Sequence, residues 1–213
     1  MTDRFTVKIL IVGEIRTNCY LMQNQETGAA LIVDPGDEAE KIAQIIEKDG
    51  GTPEAILLTH GHHDHVMAVG DLRKRWPSCK VYIGSEEKGM LSQPLGMFPG
   101  TPSDYMGEPD EWVDDGEVLS LIGTSFSVLR TPGHTKGSVC YWNEEEGILF
   151  SGDTLFRGSC GRTDFPGGSM EEMRESLKRL KDTIPDEVYV LPGHMNTSVM
   201  ENEKRFNPYM APV

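Results

Sequence analysis

The chain has 213 residues, 38% of them hydrophobic, with 23 glycines and 13 prolines dispersed along it. That length buries a good core and fits one domain, residues 1–213, and the composition excludes disordered and fibrous classes. The formal net charge of −14 repels phosphate backbones and anionic lipid, which argues against nucleic-acid and membrane partners.

No stretch approaches a membrane span, and Met1 to Lys8 lacks a basic segment followed by an apolar one, so no secretory signal is read and a cytoplasmic enzyme is expected. Phe5 to Val12, Asn18 to Gln23 and Ala29 to Asp34 read as three strands in a meander, separated at Gly13-Glu14 and Glu26-Thr27-Gly28. Asp37 is placed to cap a helix through Ala39, Ile42, Ala43, Ile45 and Ile46, which Gly50-Gly51 stops. Its single apolar face predicts a helix covering a sheet. Ala55 to Leu58 is a buried strand, Val66 to Trp76 has helical spacing, and Lys80 to Ile83 is a further strand. Ser85 to Pro109 carries four prolines among scattered apolar residues and reads as a short helix and a long loop. It either walls a substrate pocket or packs on the surface.

In the second half, Glu117 to Leu121, Phe126 to Arg130, Ser138 to Trp142 and Ile148 to Ser151 are strands, the last two joined by the acidic turn Asn143 to Gly147. Ser169 with Glu172 forms a capping box opening a helix through Met173, Leu177 and Leu180. Glu187 to Leu191 is a last strand, and Met200 to Phe206 a short helical piece. Strands then helix, given twice, predict an α/β chain of two facing sheets with helices outside, an αββα sandwich. The acidic runs at Asp110 to Asp115, Glu144 to Glu146 and Glu171-Glu172 read as solvated faces. Cys19, Cys79, Cys140 and Cys160 are widely spaced, with no Cys-x-x-Cys pair, and read as reduced thiols.

The informative stretch is Thr59-His60-Gly61-His62-His63-Asp64-His65, which holds four of the six histidines. It lies between a strand and a helix, where a loop can aim several imidazoles and a carboxylate at one point beyond a sheet. Zinc and iron prefer these donors, and the set suffices for two ions. A histidine-rich surface loop is the alternative, but a solvated loop has no need of this residue choice. His134, Asp153 and His194 each follow an apolar strand as well. Singly they read as ordinary loop residues; with the histidine loop, the recurring context marks them as parts of one site.

His60-x-His62-x-Asp64-His65, then His134, Asp153 and His194, resemble in order and spacing the metal motifs of the metallo-β-lactamase superfamily, through nearly the whole chain. The resemblance implies the αββα fold and a binuclear centre of two divalent metal ions, with zinc expected and iron or manganese as alternatives. His60, His62 and His134 would hold one ion, Asp64, His65 and His194 the other, and Asp153 would bridge them at the roughly 3.5–4 Å separation of two-metal hydrolases. His63 has no place in the motif and is read as a helix-start or supporting residue. Gly152-Asp153-Thr154-Leu155-Phe156 with Cys160-Gly161-Arg162 is similar to glyoxalase II, which hydrolyses hydroxyacylglutathione thioesters. In that family a basic residue at the position of Arg162 contacts glutathione and a tyrosine two positions later assists it; here that position is Asp164. Glyoxalase II also has a C-terminal helical domain, for which this chain is too short, so the resemblance is to the short, single-domain enzymes.

These implications predict thioester hydrolysis by a hydroxide formed from water shared between the ions, with Asp64 orienting the nucleophile and taking its proton. Arg157 and Arg162 would bind the carboxylate of a small anionic thioester or ester, or stand as exposed loop charges. The stretch Gly161-Arg162-Thr163-Asp164-Phe165 also resembles persulfide dioxygenases, which use one iron held by two histidines and an aspartate. A lactonase shares the same nucleophile. An exported β-lactamase is disfavoured by the missing signal, and a flavo-diiron protein by His62, where that group has glutamate. A non-catalytic metal module is disfavoured by the complete ligand set. The acyl group, thiol carrier and oligomeric state are not legible.

Overall fold

The computed structural model describes residues 3–88 and 106–210. Residues 89–105 of the expected 85–109 loop, with its proposed role as a pocket wall, lie outside them. The first sheet has the order β1 (Phe5–Val12), β2 (Thr17–Asn24), β3 (Ala29–Val33), β4 (Thr52–Leu58), β5 (Lys80–Gly84) and β6 (Glu111–Val113). The expected meander is β1 to β3, antiparallel, while β3 to β6 run parallel. The second sheet uses β7 (Val118–Leu121), β8 (Thr124–Arg130), β9 (Val139–Asn143), β10 (Ile148–Gly152), β13 (Tyr189–Pro192) and β14 (Ser198–Val199), with order β14-β13-β10-β9-β8-β7. A small hairpin, β11 (Leu155–Phe156) and β12 (Ser159–Cys160), stands beside it.

Helices α1 (Ala39–Lys48), α2 (His63–Val66) and α3 (Val69–Arg75) belong to the first half, and α4 (Met170–Thr183) and α5 (Met200–Phe206) to the second. Three packed clusters make the layers. Ile42, Ile46 and Leu72 of α1 and α3 bury Ile32, Ile56 and Ile83 of the first sheet. Tyr20, Leu31 and Leu57 meet Phe126, Tyr141 and Phe150 between the sheets. Met173, Leu177 and Leu180 of α4 cover Leu129, Leu149 and Val190. This is the expected αββα order, and it follows from strands with two apolar faces, which must be covered on both sides. Among the described residues no helix is long and apolar enough to cross a membrane.

Several local expectations are corrected. Asp37 does not cap α1: its Oδ1 accepts only the neighbouring Glu38 N–H at 2.6 Å, and Glu38, at φ 56°, is the N-cap without a side-chain bond. The stretch Val66 to Trp76 is not one helix, because the Ala68 N–H donates to the Pro35 carbonyl at 3.0 Å and the helical ladder is interrupted between α2 and α3. The Ala55 strand starts at Thr52, with Pro53 accommodated at a register shift opposite Ala30 and Leu31. The acidic residues of the run at 110–115 are exposed, as expected of a solvated face, but the run also contains strand β6, and Asp110 accepts the Val81 N–H at 2.9 Å. The capping role of Ser169 is seen: its Oγ accepts the Glu172 N–H at 3.3 Å. All four cysteines are free, and burial pushes Cys140 and Cys160 up to about 11, away from thiolate chemistry at neutral pH.

Candidate metal centre

The site lies at the carboxyl ends of strands from both sheets. β4 leads into the histidine loop, β8 toward His134, β10 into Asp153 and β13 into His194. Cross-sandwich bonds fix these loops. From β2, Tyr20 Oη donates to the Pro192 carbonyl at 2.6 Å and Asn18 Nδ2 to the Met195 carbonyl at 2.8 Å, which pins the His194 loop. Tyr141 Oη donates to the Leu58 carbonyl at 3.0 Å, just before the histidine loop.

All seven expected ligands converge. His62 Nδ1 lies 3.0 Å from His60 Nε2 and 2.8 Å from His134 Nε2. The outer nitrogens of two of these rings are already engaged. His134 Nδ1 donates to the Arg162 carbonyl at 2.7 Å, and His60 Nδ1 lies 3.1 Å from Thr59 Oγ1, whose proton goes to Asp34. In the tautomers that these bonds select, the inner nitrogens of His60 and His134 turn lone pairs toward His62, and one proton on His62 cannot bond both. Three lone pairs at this spacing fit a cation.

The second set is Asp64, His65 and His194, with Asp64 Oδ2 at 3.4 Å from His65 Nε2 and 3.2 Å from His194 Nε2. Asp153 stands between the sets: Oδ1 is 3.5 Å from His65 Nε2, and Oδ2 is 3.5 Å from both His134 Nε2 and His194 Nε2. Asp153 Oδ1 is buried without a hydrogen-bond partner among the described residues. A bare buried carboxylate oxygen is costly unless a cation meets it. Three ligand atoms of each set, His60/His62/His134, His60/His65/Asp153 and Asp64/His65/His194, lie within 4.8 Å of one another. His63 opens α2, with Nδ1 at 3.7 Å from Asp64 Oδ1 and its ring on the cavity wall.

Protonation follows the charge division. Burial and the neighbouring imidazoles hold His60 well below the ordinary histidine range, and burial with His134 and His65 takes His62 down to about 3. Burial opposes charge on His65, but Asp64, Asp153 and Asp34 more than reverse it and hold His65 well above that range. Asp64 is lowered, against burial, by His65 and His194.

Two buried carboxylates escaped the sequence reading. Asp34, at the end of β3, accepts from His65 Nδ1 at 3.0 Å and from the Thr59 N–H and hydroxyl at 2.8 and 2.7 Å. Its signal was the same apolar strand before a polar residue that marked the ligands. Glu87, after β5, accepts from the Gly61 N–H and the Gly137 N–H, each at 2.9 Å, and from the Thr135 hydroxyl. It ties the His60 loop to the His134 loop.

The centre opens on a cavity of about 440 Å³ whose walls include Ile15, Phe156, Phe165 and Met195. Arg162 reaches this cavity. The structure does not bring Arg157 to it; Arg157 lines a different hollow of about 530 Å³ with Tyr189, Asn202 and Phe206.

A two-sheet fold with a histidine and carboxylate cluster at its strand ends defines the metal-dependent enzymes of one large class. The chain belongs to the metallo-beta-lactamase superfamily, whose family model matches residues 12–194. It is 35% identical to "Hydroxyacylglutathione hydrolase GloC" of Haemophilus influenzae over 208 residues, which span 96% of this chain and 97% of that protein. Among solved structures it is similar to BLEG-1, described as a B3 metallo-beta-lactamase, with TM-score 0.88, 34% identity and coverage of 97% and 100% of the two chains. It is also similar to TTHA1623 in a di-iron-bound form, with TM-score 0.82, 35% identity and coverage of 95% and 99%.

Proposed function

We propose that the chain is a cytoplasmic, single-domain binuclear hydrolase that cleaves a small thioester. The observation that carries this reading is Asp153, a buried carboxylate with an unpartnered oxygen between two ligand sets. In the proposed assignment His60, His62 and His134 hold one divalent ion, Asp64, His65 and His194 the other, and Asp153 both. Bound divalent cations of this kind supply a hydroxide nucleophile at neutral pH and polarise a carbonyl. Zinc is the expected ion; the di-iron form of TTHA1623 supports iron as the alternative.

The protein's own groups do the rest. Asp64, which accepts a hydrogen bond from Thr17 Oγ1 at 3.0 Å, is placed to orient the nucleophile and take its proton. Phe156, Phe165 and Met195 exclude water around the acyl group. The name of the Haemophilus influenzae relative supports a thioester as the bond cleaved.

The test is metal analysis of protein purified without added metal, with thioester hydrolysis assayed on the same sample. About two metals per chain, and hydrolysis lost in His60→Ala and Asp153→Ala, is the expected result. One iron per chain with oxygen consumption on a persulfide and no hydrolysis would replace this reading by the dioxygenase. Cleavage of a lactone or β-lactam in preference to a thioester would reassign the substrate.

A further inference from the structure

Arg162 is the sole permanent cation among the described residues lining the cavity, and it is the group expected to receive a substrate carboxylate. Its guanidinium is already engaged. Nε donates to Asp164 Oδ1 and Nη2 to Asp164 Oδ2, both at 2.7 Å, in the bidentate geometry that a substrate carboxylate would need. The same group stacks 3.9 Å over the Phe165 ring, and Phe165 in turn stands edge-on to His62 at 5.6 Å. Two of its nitrogens are thus held by Asp164 and its face by Phe165, beside the candidate metal centre and with its charge offset.

Apart from the proposed ligands, His63 and Ser159, the rest of the wall is carried by apolar side chains and the Cys160 thiol. Ile15, Phe156, Phe165 and Met195 face the cavity, and Ile15 and Met195 are exposed at 48% and 62%, so apolar surface reaches the mouth. Arg157, the other candidate for a carboxylate, lines a separate hollow. The net charge of −14 adds a repulsive field for any anion approaching from solution. Resting on the thioesterase reading, we propose that the cavity selects an uncharged, apolar thioester, and that Asp164 sets this selectivity by occupying Arg162. This reverses the anionic substrate expected from the sequence and departs from the glutathione in the relative's name.

The experiment uses the metal-loaded protein and one acyl group on two carriers: glutathione, which bears carboxylates, and N-acetylcysteamine, which is uncharged. Wild type is expected to show kcat/KM at least about tenfold higher on the uncharged carrier. Asp164→Asn removes the anion but keeps the shape, and is expected to shrink that preference at least about tenfold, through a lower KM for the glutathione thioester rather than a higher kcat. Calorimetric titration with glutathione alone gives a readout independent of turnover, with binding by Asp164→Asn at least about tenfold tighter than by wild type. A wild type that prefers the glutathione thioester, or an Asp164→Asn variant with unchanged preference and glutathione affinity, overturns the proposal. If neither thioester is hydrolysed the thioesterase reading falls by itself, and equal glutathione affinity of the two proteins then overturns the charge filter separately.

Discussion

Asp34 and Glu87 follow the two strands that flank β4, one on each side of the strand that delivers the histidine loop. Both are buried, yet they act on the site in different ways. Asp34 touches the ring of a proposed ligand directly, accepting from His65 Nδ1 and so turning Nε2 toward the centre. Glu87 instead holds two backbone N–H groups and a hydroxyl, and so fixes where the His60 and His134 loops lie. A carboxylate on an imidazole raises the basicity of the ligand as well as orienting it, whereas a carboxylate on backbone can only position. Burial raises the Glu87 carboxyl above the usual range, and these three bonds offset part of that rise.

The comparison can be broken at the point where both half-sites meet. A Cβ at Gly193 would lie 2.3 Å from Asp153 Oδ1 and 2.7 Å from His65 Cε1. Gly193→Ala should therefore displace the shared carboxylate whatever Asp34 and Glu87 do, costing about a hundredfold in kcat/KM. Activity within a few fold of wild type would show that Asp153 has room to move. Next, Asp34→Asn should weaken metal binding by about 10–100-fold, mostly for the second ion, measured by competition with a chromogenic chelator. Equal weakening of both ions would mean that Asp34, through Thr59, governs His60 as much as His65.

Glu87→Gln should do less to metal affinity and more to stability. Glutamine offers a single acceptor oxygen where glutamate uses two, so a buried N–H or hydroxyl loses its partner and unfolding free energy should fall by about 1–3 kcal/mol in denaturant titration. A metal defect as large as that of Asp34→Asn would erase the distinction between tuning and positioning. The smallest effect concerns an exposed carboxylate. The two bonds from Arg162 lower Asp164 from its usual 3.8 to about 2. A depressed acid stabilises the fold above its ordinary pKa and loses that contribution as pH falls through the lowered value, so the pair should hold at pH 4 and open only near pH 2. Carbon-detected NMR titration of Asp164 reads this directly, and Arg162→Ala should return the midpoint toward 3.8.

The sequence by itself determined much of the centre. His60, His62, Asp64 and His65 lie within six residues of one another, so a strand, a loop and a helix start suffice to bring them together, and that is legible without a fold. His134, Asp153 and His194 could be read because each follows an apolar run. Asp34 had the same context but sat in Asp34-Pro35-Gly36-Asp37, where turn formation explains an aspartate equally well. Glu87, in Ser85-Glu86-Glu87-Lys88, looks like any solvated turn, and only the close approach of Gly61 and Gly137 makes it a buried acceptor. Arg157 and Arg162 are five positions apart and equivalent in the sequence, but in the structure they line different cavities. The proposed ligands were legible locally, because metal chemistry selects residue types. Which carboxylates brace the ligands, and which cation faces the substrate, depended on contacts between segments far apart in the chain, and those only the packing of the two sheets decided.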